Sequence, residues 1–285
     1  LTATGLLSAF ANAVPKSVVR GIQFGLGLQL ASLALRDYVP AAGASGYVLA
    51  GAAFVVTVLL LGNRKIPPAP LVIALGIVYA LAFRLDGAQF SGAFGVHLPA
   101  LHAPAWSDIV TGFFLLALPQ IPLSLGNSIL ATKQVIADLF PERSISVRKI
   151  GFTYALMNLV NPFFGGVPTC HGSGGVAGHY AFGGRTGGSV VLYGAFYLLL
   201  GVFFSGGFHT VIELFPKPVL GVILLFEAVA LMRLLRDMTS NAGDFAVVLL
   251  TGLIAFGVTY GYVVGLVVGW LLAALVKRNA VGLAR

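Results

Sequence analysis

Long apolar runs, separated by short polar breaks, dominate this sequence and leave few folds open to it. They cover residues 17–35, 47–61, 71–83, 109–136, 150–167, 190–204, 219–234 and 245–276. A membrane-crossing helix needs about 20 mostly apolar residues. Only 9% of residues are charged and 58% are hydrophobic, whereas a soluble domain carries about 25% charge. A soluble chain of this size would need far more polar surface. In lipid the exterior can be as apolar as the interior, provided the backbone satisfies its own hydrogen bonds. The expected class is an all-α polytopic membrane protein. Its 37 glycines suit helices that approach each other closely in lipid.

The net charge of +8 does not indicate a nucleic-acid partner, because the basic residues sit in short clusters between apolar runs. If each run crosses once, Lys16, Arg20, Arg64, Lys65, Lys133, Arg143, Arg148, Lys149, Arg185, Arg233, Arg236, Lys277, Arg278 and Arg285 fall on one side. Only Arg36, Arg84 and Lys217 fall on the other. That asymmetry predicts a cytoplasmic C-terminus in a multi-pass protein of the plasma (inner) membrane. The single cysteine, Cys170, excludes an intramolecular disulfide. The stretch 1–14 is apolar but too short to span and has no basic start. It reads as the end of a helix that begins upstream, so the chain is expected to be a fragment.

Two runs cannot be single plain helices. Pro119 and Pro122 interrupt 109–136, which should kink or restart there. The run 245–276 should form two helices that turn near Thr259-Tyr260-Gly261. Gly257, Gly261, Gly265 and Gly269 recur there at the small-xxx-small spacing of a tight helix contact. Val14-Pro15-Lys16-Ser17-Val18-Val19 is echoed by Phe215-Pro216-Lys217-Pro218-Val219-Leu220. By the assumed crossings the two have opposite orientations, as in an inverted repeat.

Two segments carry candidate chemistry. The first is Asn161-Pro162-Phe163-Phe164-Gly165-Gly166-Val167-Pro168-Thr169-Cys170-His171-Gly172-Ser173-Gly174-Gly175, polar and Gly-rich between apolar stretches. Irregular backbone at membrane depth survives only when buried in protein or lining a wet cavity, and interrupted helices mark transporter sites. A helix starting within 169–174 would aim free N–H groups and a positive dipole end at an anion. The competing reading is a Gly-rich loop at the membrane surface. The second is a stripe of Gln120, Ser124, Asn127 and Ser128, three or four apart. As an α-helical face it would either donate hydrogen bonds to an oxyanion or hold helices together.

Glu227, within an apolar run, is a candidate coupling residue or a partner for a buried hydroxyl, and His179 is a second coupling candidate. Cys170, His171 and His179 are too few for a structural metal site. No metal or cofactor is expected. An enzyme is not expected either, although Cys170 with His171 leaves an intramembrane enzyme as the alternative from another class. His97 and His102 are expected to be solvated.

Three blocks, Pro119-Gln120-Ile121-Pro122-Leu123-Ser124-Leu125-Gly126-Asn127, Gly166-Val167-Pro168-Thr169-Cys170-His171-Gly172-Ser173-Gly174-Gly175 and Phe182-Gly183-Gly184-Arg185-Thr186-Gly187, resemble the molybdate-transporter family related to the SulP and SLC26-type sulfate permeases. The resemblance implies a transporter of fourteen segments in two inverted halves of seven (7+7), with core and gate domains and alternating access. This chain would begin at the end of the fourth segment. Residues 1–86 would then complete that segment and supply gate helices, 87–106 an extracytoplasmic loop, 107–210 core helices and 211–285 further gate helices. Residues 169–174 correspond to the tenth segment, and 119–131 to the eighth. Asn127 stands where sulfate permeases often place a carboxylate, and Glu227 falls in the gate, away from the anion. No STAS-like domain is expected after Arg285, which would suit the molybdate branch. The implied substrate-binding residues are Thr169, Cys170, His171, Gly172, Ser173, Gly174, Gln120, Ser124 and Asn127. Molybdate is the implied cargo, with sulfate or another anion as the alternative. The other expected partner is the lipid bilayer, and a homodimer is left open.

Overall fold

The computed structural model of the chain describes residues 2–63, 65–84, 94–117, 121, 124–207 and 213–278. Among these residues the regular structure is helical, with no strand. Helix α1 is Leu6–Ala13 and α2 is Lys16–Leu33. A π turn at Ala34–Tyr38 and a 3-10 turn at Val39–Ala42 lead into α3, Gly43–Leu60. Next come α4, Pro68–Phe83, and α5, Trp106–Gly112, which is followed by a π turn at Phe113–Ala117. A second π stretch, Ser124–Ala131, runs into α6, Thr132–Leu139. Then follow α7, Val147–Val160, α8, Ser173–Ala181, and α9, Gly187–Phe204. The last three are α10, Lys217–Arg233, α11, Ala242–Gly257, and α12, Gly261–Lys277.

Among the described residues, three helical stretches, Lys16–Leu60, Gly187–Phe204 and Lys217–Met238, are long and apolar enough to cross a membrane. Helix α9 has no buried residue, although Val190, Val191, Leu192 and Leu198 lie along it. An apolar helix exposed all round requires an apolar solvent.

The turn expected within 245–276 is present: α11 ends at Gly257, and Tyr260 takes the left-handed conformation, φ 55°, before α12. The run 150–167 is α-helical only to Val160, where the interrupted stretch expected from Asn161 begins, and Asn161–Phe164 tightens into a 3-10 turn with Pro162 inside it. The paired echo folds alike. The Val18 and Val19 amides donate to Pro15 O at 3.1 and 3.2 Å, and those of Val219 and Leu220 to Pro216 O at 3.0 and 3.3 Å. Pro needs no amide partner at a helix start, so the same dipeptide opens both helices. The expected break at Pro119 and Pro122, like Gln120, lies outside the described residues.

The chain forms two compact units, one of Leu1–Leu30, Ala100–Ala177 and Glu227–Arg285, the other of Ala31–Pro99 and Gly178–Phe226. In the first unit, small residues bring α2, α11 and α12 together. The Cβ position of Gly25 is 2.9 Å from Gly252 O, that of Gly252 is 2.9 Å from Gly21 O, and that of Gly265 is 2.9 Å from Thr251 O. A side chain at any of the three would separate the backbones. Lipid offers little hydrophobic drive between helices, so this close approach carries the association. Of the predicted glycine series, Gly261, Gly265 and Gly269 face α11, whereas Gly257 meets nothing within 4 Å. In the second unit Leu49, Ala53, Val72, Phe182, Val219, Val222 and Phe226 form one buried cluster.

A charged cluster also holds the first unit. Arg20 on α2 is only 2% exposed. Its Nε and Nη2 donate to the two carboxylate oxygens of Asp237 at 3.1 and 2.6 Å, and its Nη1 donates to Asp138 Oδ2 and to Gln23 Oε1. Lys16 Nζ reaches Asp237 at 2.7 Å, and Gln134 Nε2 donates to Asp138 Oδ1 at 3.0 Å.

Candidate functional site

The interrupted stretch is built on α7. Ser146 caps that helix by accepting the Lys149 amide at 3.1 Å. After Val160 the chain tightens into Asn161–Phe164 and reverses at Gly165, φ 68°, a left-handed conformation that Gly adopts without strain. The Gly166 amide closes the turn on Asn161 O at 2.8 Å. The chain then runs without regular structure to α8.

Neutral side chains hold this non-helical segment in place. Asn158 clamps Thr169 from both directions: its Nδ2 donates to Thr169 O at 2.8 Å, and its Oδ1 accepts the Thr169 amide at 3.0 Å. Asn161 Nδ2 donates to Thr169 Oγ1 at 3.1 Å, which leaves the Thr169 hydroxyl proton to another acceptor. Thr153 Oγ1 and His171 Nε2 lie 2.8 Å apart. A side chain that supplies both a donor and an acceptor replaces the ladder this backbone lacks.

Helix α8 begins at Ser173, inside the window 169–174, with Gly172 O accepting the Val176 amide at 3.2 Å. The first amides of a helix have no carbonyl four residues back. Ser173 is fully buried, and its hydroxyl donates to Asn127 Oδ1 at 3.0 Å. That bond brings the two candidate segments together across 46 residues. It also turns the Ser173 hydroxyl away from the role of a further anion donor. Of the candidate binding residues, Thr169 and Cys170 are exposed, His171 and Gly172 are partly exposed, and Ser173 and Gly174 are buried.

The second segment differs from expectation. Ser124–Ala131 is a π stretch rather than an α-helix, so residues three and four apart do not share one line. Ser124 Oγ instead lies 2.9 Å from Tyr154 Oη, Asn127 meets Ser173, and Ser128 is buried. Wide turns of this kind recur at functional sites. Gln120 lies outside the described residues.

Glu227, which the resemblance put in the gate, has its carboxylate against the first turn of α8. A Cβ on Gly174 would fall on Glu227 Oε1. The missing side chain at Gly174 makes room for it, and a helix N-terminus favours a negative group. His179, at the other end of α8, stacks edge-on against Tyr193 at 5.6 Å. Among the described residues no three His, Cys, Asp or Glu side chains gather as metal ligands would. His97 and His102 are exposed, as expected.

Asn158, Asn161, Thr153 and Arg20 were not singled out from the sequence. Asn158 had a signal: a polar residue late in an apolar helix, just before the irregular segment.

Taken together, the apolar helices and the interrupted α7–α8 connection define an all-α integral membrane protein. Its fold is similar to that of SLC26A9: the match covers 94% of this chain and 47% of the solved chain, with a TM-score of 0.58 at 16% identity. A family model described as "Molybdate transporter of MFS superfamily" matches residues 112–231. Molybdate transporter 1 of Arabidopsis thaliana is 34% identical over 92% of this chain, and molybdate transporter 2 of the same plant is 33% identical over 86%. Molybdate transporter 1 of Chlamydomonas reinhardtii is 34% identical over 71%. The chain spans 66%, 62% and 40% of the lengths of these relatives. It belongs to the molybdate transporter family.

Proposed function

We propose that this chain belongs to a secondary transporter that moves a tetrahedral oxyanion, molybdate before sulfate, across a membrane by alternating access. The observation that carries the reading is the 34% identity with a protein named molybdate transporter 1, maintained over 92% of the chain. Features at the start of α8 support a site for the cargo there. The start of α8 offers amide N–H groups at a positive dipole end, and the exposed Thr169 hydroxyl lies four residues before it. Asn158 and Asn161 hold the approach rigid, so little ordering entropy is spent when the anion arrives. An N–H cradle without a full positive charge binds a dianion firmly enough to select it and weakly enough to release it.

The test is uptake of labelled molybdate by vesicles containing the purified full-length protein. Saturable uptake, suppressed more by unlabelled molybdate than by equal sulfate, is the expected result. Uptake no faster than in protein-free vesicles overturns the proposal, and equal suppression by sulfate moves the assignment to a sulfate or general anion permease.

The charge asymmetry supports a topology with Lys149, Lys277 and the C-terminus on the cytoplasmic side and His97 and Lys217 on the opposite side. Single cysteines at these positions check it in intact cells. An impermeant reagent should label position 217 and not position 149, and the reverse pattern overturns the topology.

A further inference from the structure

Glu227 sits in the middle of the apolar helix α10, where a carboxylate is costly unless it has a task. It lies against the first turn of α8, close enough to Gly174 that a Cβ there would clash with its Oε1, and Leu30 Cδ1 lies 3.6 Å from the same point. Packing fixes this register. One turn beyond Glu227, Leu231 is buried in a cluster with Ala177 of α8 and Val135 of α6, and Leu26 and Leu30 of α2 pack around it. The protein's own oxyanion therefore already stands at the helix end assigned above to the cargo.

We propose that Glu227 is a built-in competitor of the transported oxyanion. The inference rests on the reading of the α8 start as the anion site. A carboxylate and a dianion at one helix end repel each other, so the cargo binds when the Glu227 carboxylate withdraws, and its return helps expel the cargo. Gly174 serves this exchange because any side chain there would evict the carboxylate. Glu227 thus sets the affinity and the release rate without holding the cargo itself.

The experiment is calorimetric titration of sodium molybdate into the detergent-purified full-length protein, with Glu227→Gln and Glu227→Asp beside the wild type, and uptake measured on the same proteins. Glu227→Gln should bind about tenfold more tightly or better, with a lower KM and a lower maximal uptake rate, because expulsion is lost. Glu227→Asp keeps the charge but draws it back, and should fall between the two. It also serves as the test if the Gln protein does not fold. Wild-type binding with unchanged or weaker affinity in the variants overturns the competitor role alone. No binding by the wild type overturns the anion site as well.

Discussion

Replacing Gly172 with Val in the full-length protein should cut oxyanion affinity by about a hundredfold or more while the protein remains folded. The fold tolerates the change because a Cβ at Gly172 meets only the Gly175 amide nitrogen, at 3.8 Å. A branched side chain at the residue just before α8 would stand where the anion must approach the first-turn amides. Hydrogen bonds to a charged group are each worth about 1.5–3 kcal/mol. Losing two of them costs about 3–6 kcal/mol, which is at least two orders of magnitude in affinity. Ser173→Ala should do much less. Its hydroxyl is committed to Asn127 Oδ1, and one neutral hydrogen bond contributes about 0.5–1.5 kcal/mol. Calorimetry with molybdate checks both. Undiminished affinity in Gly172→Val would move the anion away from α8, leaving Ser124 and Asn127 as the next place to look.

Arg20→Met should be the most destabilising single change in the first unit. The guanidinium is 98% buried and grips Asp237 with two donors while a third serves Asp138 and Gln23. A buried ion pair is a poor guide to net stability, because desolvation offsets the attraction. Removing one partner is different, since it strands the other charge. Here two carboxylates are stranded, with Asp138 19% and Asp237 34% exposed. That exposure, and the Lys16 partner that Asp237 keeps, places the cost near the lower end of the usual 3–5 kcal/mol. The apparent Tm in detergent should fall by about 5–10 °C. Arg20→Lys should recover only part of it, because an ammonium cannot match both oxygens of Asp237 in a plane. Adding Asp138→Asn and Asp237→Asn to Arg20→Met should restore stability. An unchanged Tm in Arg20→Met would show that the cluster does not hold α2.

Much of the fold was legible because its signals are local. Lipid imposes length and apolarity on each helix separately, so composition and run length alone located the spanning helices, and the Thr259-Tyr260-Gly261 break located the α11–α12 turn. The start of α8 near residue 173 was readable from Gly and small polar residues that cannot continue an apolar helix. Local spacing misled in the stripe at Ser124 and Asn127. The spacing predicts an α-helical face, whereas the wide turn of the folded chain sends Ser124 to Tyr154 and Asn127 to Ser173.

The pairings were beyond the reach of the sequence. Arg20 finds Asp138 and Asp237 across 118 and 217 positions, and Glu227 reaches Gly174 from another helix. Hydrophobic periodicity states which residues prefer lipid or protein, but not which helix lies beside which, since lipid-facing surfaces are chemically alike. That choice is made by shape, where two backbones lacking side chains can touch, and by the need to leave no buried charge unpaired. The amino-acid sequence therefore specified a bundle of membrane helices with one broken segment, and the three-dimensional packing placed a carboxylate at the end of that break.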